Sequence, residues 1–189
     1  MLALLAFALI GCGKPAIPAS TPPSVKLPPL TLETIKDTPD KDIEDVLFEY
    51  CDNVIGYGDG EHERFSALPA GLRMLYSTWL LEAEVYNGGF HQFFWNSSGW
   101  YAREAAKGLR LIGATTDAIR LDKAIDVFRQ EEKRMNAHKG DDLKEGYLDS
   151  VKESKLPTLD QDFYDKADDL SKLRITYIRA HPEHFVVGE

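Results

Sequence analysis

The sequence predicts an all-α protein: a single multi-helix globular domain carried on a Pro-rich N-terminal tether. Three observations lead there. From about Asp42 onward the apolar residues recur at three- and four-residue spacing, the period of one helix face. No run alternates apolar and polar residues with the period of two that a half-buried strand requires. Seven of the ten prolines, at positions 15, 18, 22, 23, 28, 29 and 39, stand ahead of the periodic region.

The N-terminal run MLALLAFALIG holds eleven apolar or small residues, about half of what a membrane-spanning helix needs. It fits the apolar stretch of a secretory signal peptide. No Lys or Arg precedes it. The run closes on Leu9-Ile10-Gly11-Cys12, which resembles the bacterial lipobox. That resemblance implies cleavage before Cys12, lipidation of Cys12, and anchoring to a cell membrane or outer membrane, facing outside the cytoplasm. Proline removes backbone donors and holds φ near the polyproline value, so the next stretch reads as an extended linker. The expected division is a signal peptide over 1–11, lipidated Cys12 and flexible linker over 12–40, and the helical domain over 41–189.

Within the domain each helix has its own stripe and its own stop. Ile43, Val46, Leu47, Tyr50, Cys51 and Val54 form the first stripe, which makes Cys51 a buried small hydrophobe. A Gly-rich turn follows at 56–60. A second helix is expected from near Ser66, with Pro69 in its first turn, until Gly88-Gly89 stops it. A short helix over 90–95 precedes one from Trp100 to Ile112, closed by Gly113. Thr115, Thr116 and Asp117 offer caps for a long helix through Ile119, Leu121, Ile125 and Phe128. Leu143, Tyr147 and Val151 mark the next, ended by Leu156-Pro157. A last helix is expected from Asp160 to Ala180, with Phe163, Leu170 and Ile178 inward.

The formal charge is −9. Direct binding to nucleic acid is not expected, because that needs clustered Lys and Arg. The charge is unevenly placed. Residues 31–63 hold eleven Asp or Glu against two Lys, residues 141–169 ten against four, and residues 64–140 eight against eleven bases. Two acidic faces could dock a basic protein surface, steered by charge.

The stretch EVYNGGFHQFFWNSSGW at 84–100 is the densest candidate for chemistry. Its polar residues could line a small-ligand or hydrolytic cleft near Asn87–Gln92. They could instead serve a helix corner: Gly88 and Gly89 free the backbone to turn, Phe90, Phe93 and Phe94 plug the core, and Gln92 and Asn96 bond orphan groups at helix ends. No other catalytic set is visible. Ser97 and Ser98 have only His91 as a nearby base, and a nucleophile needs a base and an orienter in reach. His181 and His184 flank Glu183, but Pro182 breaks the helix between them, so no metal site is expected. No phosphate-binding loop or cofactor motif occurs.

Glu84-x-x-Asn87-Gly88-Gly89-Phe90-x-Gln92-Phe93-Phe94-x-Asn96 resembles the signature of a bacterial all-helical domain family of unknown function, which includes the DNA-mimic protein 19 type. The resemblance runs from roughly residue 45 to 186. It implies an all-α domain, often a homodimer. In the studied type, it implies acidic surface groups that imitate DNA phosphates and occupy a DNA-binding protein. The sequence thus points to a non-enzymatic, membrane-tethered acidic protein-binding domain. A cytoplasmic DNA mimic and the ligand cleft stand as alternatives.

Overall fold

The computed structural model describes residues 29–140 and 142–188. The expected signal peptide, Cys12 and most of the Pro-rich linker lie outside them. The described chain forms α1 (Leu32–Asp37), α2 (Asp40–Ile55), α3 (Glu61–Ala67), α4 (Ala70–Trp95), α5 (Ala102–Leu111), α6 (Thr115–Ala137), α7 (Leu143–Glu153), α8 (Asp160–Lys166) and α9 (Leu170–Ala180). Short 3-10 turns precede α5 and α8 and follow α9. The only extended pairing among the described residues is an antiparallel bridge between Leu30 and Val187. The all-α expectation holds. No described helix is long and apolar enough to cross a membrane.

The domain begins earlier than the expected boundary at residue 41. Thr31 caps α1 by accepting the Thr34 amide, and Ile35 is fully buried. Leu30 is also buried, and its carbonyl accepts the Val187 amide at 3.0 Å. Arg179 clasps this segment: it bonds Asp40 at 2.7 Å, the Ile35 carbonyl at 2.6 Å and the Thr38 carbonyl. Pro39, counted with the linker prolines, instead stands at the N-cap of α2. A proline there gives up only an amide the helix could not have used.

α4 runs through the middle and packs on α2, α5, α8, α9 and the 3-10 turn after α9. Its buried face carries Leu72, Leu75, Leu81, Val85 and Phe90. α2 adds Ile43, Leu47, Cys51 and Ile55. The Cys51 thiol sits 3.9 Å from the Leu72 carbonyl, and burial pushes its pKa up, so it is an inert core group. α9 is held by Arg174, which is almost wholly buried and pairs with Glu44 of α2 and, at 2.7 Å, with Glu82 of α4.

Two breaks were not expected. Glu61–Ala67 is a separate helix because Leu68-Pro69 is extended and redirects the chain before α4 starts. The expected helix from Asp160 to Ala180 is split, since Ala167 is extended and Asp169 caps α9 through the Lys172 amide. The split is held from outside: the buried Asp117 carboxylate accepts the Asp168 amide at 2.9 Å and is ion-paired with Arg120. Thr115 and Thr116 do not cap α6; Ala114 occupies that position.

Ile35 tests whether α1 belongs to the folded unit. Ile35→Ala should lower unfolding stability by about 2–5 kcal/mol, the cost of emptying a core site. Urea denaturation measures it. A change under about 0.5 kcal/mol, as at a surface position, would return the segment to the tether.

Candidate functional site

α4 is not one straight helix. Gly88 (φ −161°, ψ 26°) and Gly89 (φ 77°, ψ 179°) leave helical geometry, and the chain resumes as a helix from Phe90 to Trp95. Gly89 lies in the left-handed region that only glycine enters cheaply. A side chain there would also overlap the Asp160 carboxylate. No non-glycine residue among those described, Asn87 included, has a positive φ. Asn87 is exposed, and its side chain has no hydrogen-bond partner among the described residues.

Such a corner frees backbone groups that must find new partners. The Phe90 amide donates to Asp160 at 2.9 Å, from the first residue of α8. The Val85 carbonyl, whose helical partner would be Gly89, accepts the Tyr164 hydroxyl at 2.9 Å. Burial pushes the Asp160 carboxyl above the ordinary range, partly offset by the Phe90 amide.

The polar residues of the motif bond one another, not the helix ends as expected. The buried Glu84 carboxylate accepts from Gln92 at 2.8 Å, from Asn96 at 3.0 and 3.1 Å, and from Ser98 at 3.0 Å. Neutral donors disperse the charge; Glu84 has no ion pair among the described residues. Phe90 packs edge-on against Phe163, and Phe94 stacks on Phe128 with centroids 4.4 Å apart. Phe93 is fully buried beside Phe94.

His91 pairs with Ser150 at 3.0 Å, a serine–imidazole contact that sequence spacing could not reveal. Both are buried, and the His91 Nδ1 has no partner. Burial lowers the imidazole to about 4, so it is neutral near pH 7. A hydroxyl–imidazole pair without an orienting group lacks one of the three parts of a nucleophilic site. Glu131, the carboxylate whose charge acts on His91, is spent on Ser154 and the Lys155 amide.

An open groove of about 680 Å³ is lined by residues of α3, α4, α5 and α6 and the turn before α5, among them the aromatic Phe94, Trp100 and Phe128 and the basic Arg73, Arg103 and Arg129. Of the motif, only Phe94 reaches it. Arg73 is tied to Glu104, and Arg129 to Asp126.

The two acidic runs meet different fates. In the C-terminal third, Asp142 and Asp169 cap helices, Asp149 pairs with Lys152, Glu153 with His138 and Arg134, and Asp165 with Gln161. On α2, Asp45 and Glu49 are exposed and their carboxylates have no partner among the described residues; Asn53 bonds only the Glu49 backbone carbonyl, at 2.8 Å. Asp42, Asp45, Glu49 and Asp52 recur at three, four and three residues, a face about 15 Å long. Asp52 reaches the Tyr76 hydroxyl at 3.4 Å, and burial raises its pKa.

An all-helical domain whose central helix folds back at a Gly-Gly corner, locked by a buried glutamate, is the class this geometry defines. Residues 66–181, more than half of the chain, match the family described as DMP19-like protein, and the chain belongs to that family. No curated protein and no solved structure matches it.

The Asp160 corner makes a pH-dependent prediction. A folded-state pKa raised by burial contributes stability that is complete below the ordinary value of about 4 and is lost as pH rises through the folded value. Asp160→Asn keeps an oxygen for the Phe90 amide and removes the charge. Urea midpoints should therefore show wild type losing stability relative to Asp160→Asn between pH 4 and 7. Asp160→Ala leaves the amide unmet and should cost about 1–3 kcal/mol at either pH. A flat difference, or Ala as stable as Asn, overturns the assignment.

Proposed function

We propose that this chain is a non-enzymatic binding domain that docks a basic protein surface on the outward face of α2. The observation that carries the reading is the row of carboxylates at Asp42, Asp45, Glu49 and Asp52, in which Asp45 and Glu49 have no internal partner. An exposed acid that stabilises nothing inside its own domain keeps its full field for a partner. Charges at such a rim steer encounter and are screened by salt. Family membership supports the same direction, since the DNA-mimic type resembled by residues 84–96 presents acidic groups to a DNA-binding protein.

The rival reading, a ligand or hydrolytic cleft at Asn87–Gln92, has less support. Glu84 and His91 are buried, and Gln92 and Ser150 spend their polar atoms on them. Asn87 alone faces solvent.

The proposal includes the address. A lipid on Cys12 and the Pro-rich linker would hold the domain at a membrane outside the cytoplasm, where the basic partner would be another exported protein. Cytoplasmic DNA mimicry uses the same α2 face but requires that the chain is not exported.

Two experiments separate these readings. Wild type and Asp45→Lys/Glu49→Lys are used as bait at low and high salt. Partners should be held by wild type at low salt, released at high salt, and lost at least about tenfold by the double variant, roughly 1.4 kcal/mol. Identical partners under all conditions would sink electrostatic docking. Feeding cells a fatty-acid analogue should label wild type and not Cys12→Ala. An unlabelled wild type removes the tether and leaves the cytoplasmic mimic.

A further inference from the structure

The chain end after α9 carries side chains that neither the fold nor the proposed docking face uses. Pro182 was expected to keep His181 and His184 apart by breaking the helix. It does break the helix, and the break brings them together. Pro182–Phe185 forms a 3-10 turn, in which side chains three residues apart eclipse. The two imidazole rings lie parallel, with centroids 5.1 Å apart and planes 8° from each other. Glu183, between them, sets its Oε1 3.7 Å from His181 Nδ1 and 3.8 Å from His184 Nε2. One ligand atom from each of the three residues lies within 4.8 Å of the other two. All three side chains are about half exposed, so an ion can arrive from solvent.

The backbone under this triplet is held firmly. The His181 amide donates to Tyr177 at 2.9 Å and the His184 amide to His181 at 3.0 Å. Phe185 is fully buried against α4. Gly71 lies so close beneath that a Cβ there would come within 2.6 Å of the His184 carbonyl oxygen. Val187 then pairs with Leu30. The turn is therefore fixed on both sides while its polar side chains face outward.

We propose that His181, Glu183 and His184 form a binding site for one late first-row divalent cation of the Zn²⁺ class, with Tyr177 as its positioning residue. Two imidazoles and one carboxylate are a ligand set Zn²⁺ accepts, with water in the fourth place. Co²⁺, Ni²⁺ and Cu²⁺ suit the same donors. Tetrahedral ligands about 2.0–2.1 Å from zinc stand roughly 3.3 Å apart. The two Glu–His edges need to close by about 0.5 Å and the His–His edge by up to about 1.5 Å, and the rings must turn so that their lone pairs converge. Both are rotations about χ angles of half-exposed side chains. The Tyr177 hydroxyl lies 2.8 Å from His184 Nδ1. When that nitrogen carries the proton and donates it to Tyr177, Nε2 keeps its lone pair for the ion. A tyrosine hydroxyl oxygen can accept that bond.

The test uses the full, untagged chain stripped of metal with a chelator. Zn²⁺ is titrated by calorimetry and Co²⁺ by visible absorption. One ion per chain should bind, with a Co²⁺ ligand-field band. His181→Ala, His184→Ala and Glu183→Gln should each weaken Zn²⁺ binding at least about tenfold, and Tyr177→Phe about tenfold with the Co²⁺ band shifted. His62→Ala and His138→Ala, at the other described solvent-accessible imidazoles, should bind as wild type does. Saturating Zn²⁺ should raise the Tm of wild type but not of the His181→Ala/His184→Ala double variant. Circular dichroism confirms that each variant stays helical. No uptake of either ion up to about 1 mM, or equal uptake by the double variant, overturns the site.

Discussion

Folding a helix back on itself inside its own core is the constraint on which the rest of this domain depends. At Gly88-Gly89 the chain leaves α4, which strands an amide at Phe90 and a carbonyl at Val85. Buried polar groups left unpaired cost more than most single contacts return. Both partners come from α8, through Asp160 and Tyr164. The corner therefore fixes where α8 must sit, and Leu156-Pro157 delivers the chain there in a 3-10 turn. Glu84 closes the same corner from within, its carboxylate gripping Gln92, Asn96 and Ser98 on the returning side. Three amide or hydroxyl donors on one anion replace the water it lost. The aromatic rings of Phe90, Phe93 and Phe94 can then fill the core because the polar side of the same short helix is already satisfied.

Charge is handled in two ways. Inside, anions are matched: Glu44 and Glu82 by Arg174, Asp117 by Arg120, Glu131 by Ser154 and Arg134. Removing one partner of a buried pair leaves an uncompensated charge, which is the expensive outcome. Arg174 joins α2, α4 and α9 in this way, so it specifies how three helices meet. Outside, the acids of α7 and α8 are mostly absorbed into caps and short pairs, worth little each in water. The surplus of the −9 chain is consequently concentrated on α2 and the loop after it.

Sequence periodicity exposed most of the fold because each helix buries one face. It placed the stripes of α2, α5, α6 and α7 and the stop at Gly113, except that Val46 and Ile119, counted with the stripes, face solvent. It missed α1 because six residues offer only one buried position, Ile35, too few for a period. It ran α8 into α9 because the apolar spacing continues across Ala167, and the force that breaks it, Asp117, is 51 positions away. The corner was readable in outline from Gly-Gly and the phenylalanines. Its wiring was not. Asp160 and Tyr164 lie 70 and 79 residues from their partners, and nothing local marks them. Glu84, Gln92 and Asn96 stood in the motif at 84–96, but their separations of eight and twelve suit a continuous helix poorly. Only the kink brings them face to face.

That wiring decides what family membership carries. The side chains of residues 84–96 are mostly spent on the corner: Glu84, Phe90, Phe93 and Phe94 are buried, and Gln92 and Asn96 are bonded to Glu84. A partner could reach the buried glutamate and phenylalanines only by opening the core, so these side chains serve the scaffold. Recognition has to be written where substitution leaves the core untouched. Asp45 and Glu49 meet that condition, because no described residue depends on them. His181, Glu183 and His184 meet it as well: the His184 backbone lies against α4, while the three side chains reach only one another and Tyr177. Two domains of this family can therefore share the corner and differ in every contact they make. The physical basis of that freedom is the separation, in this chain, between side chains that satisfy the kink and side chains that face solvent.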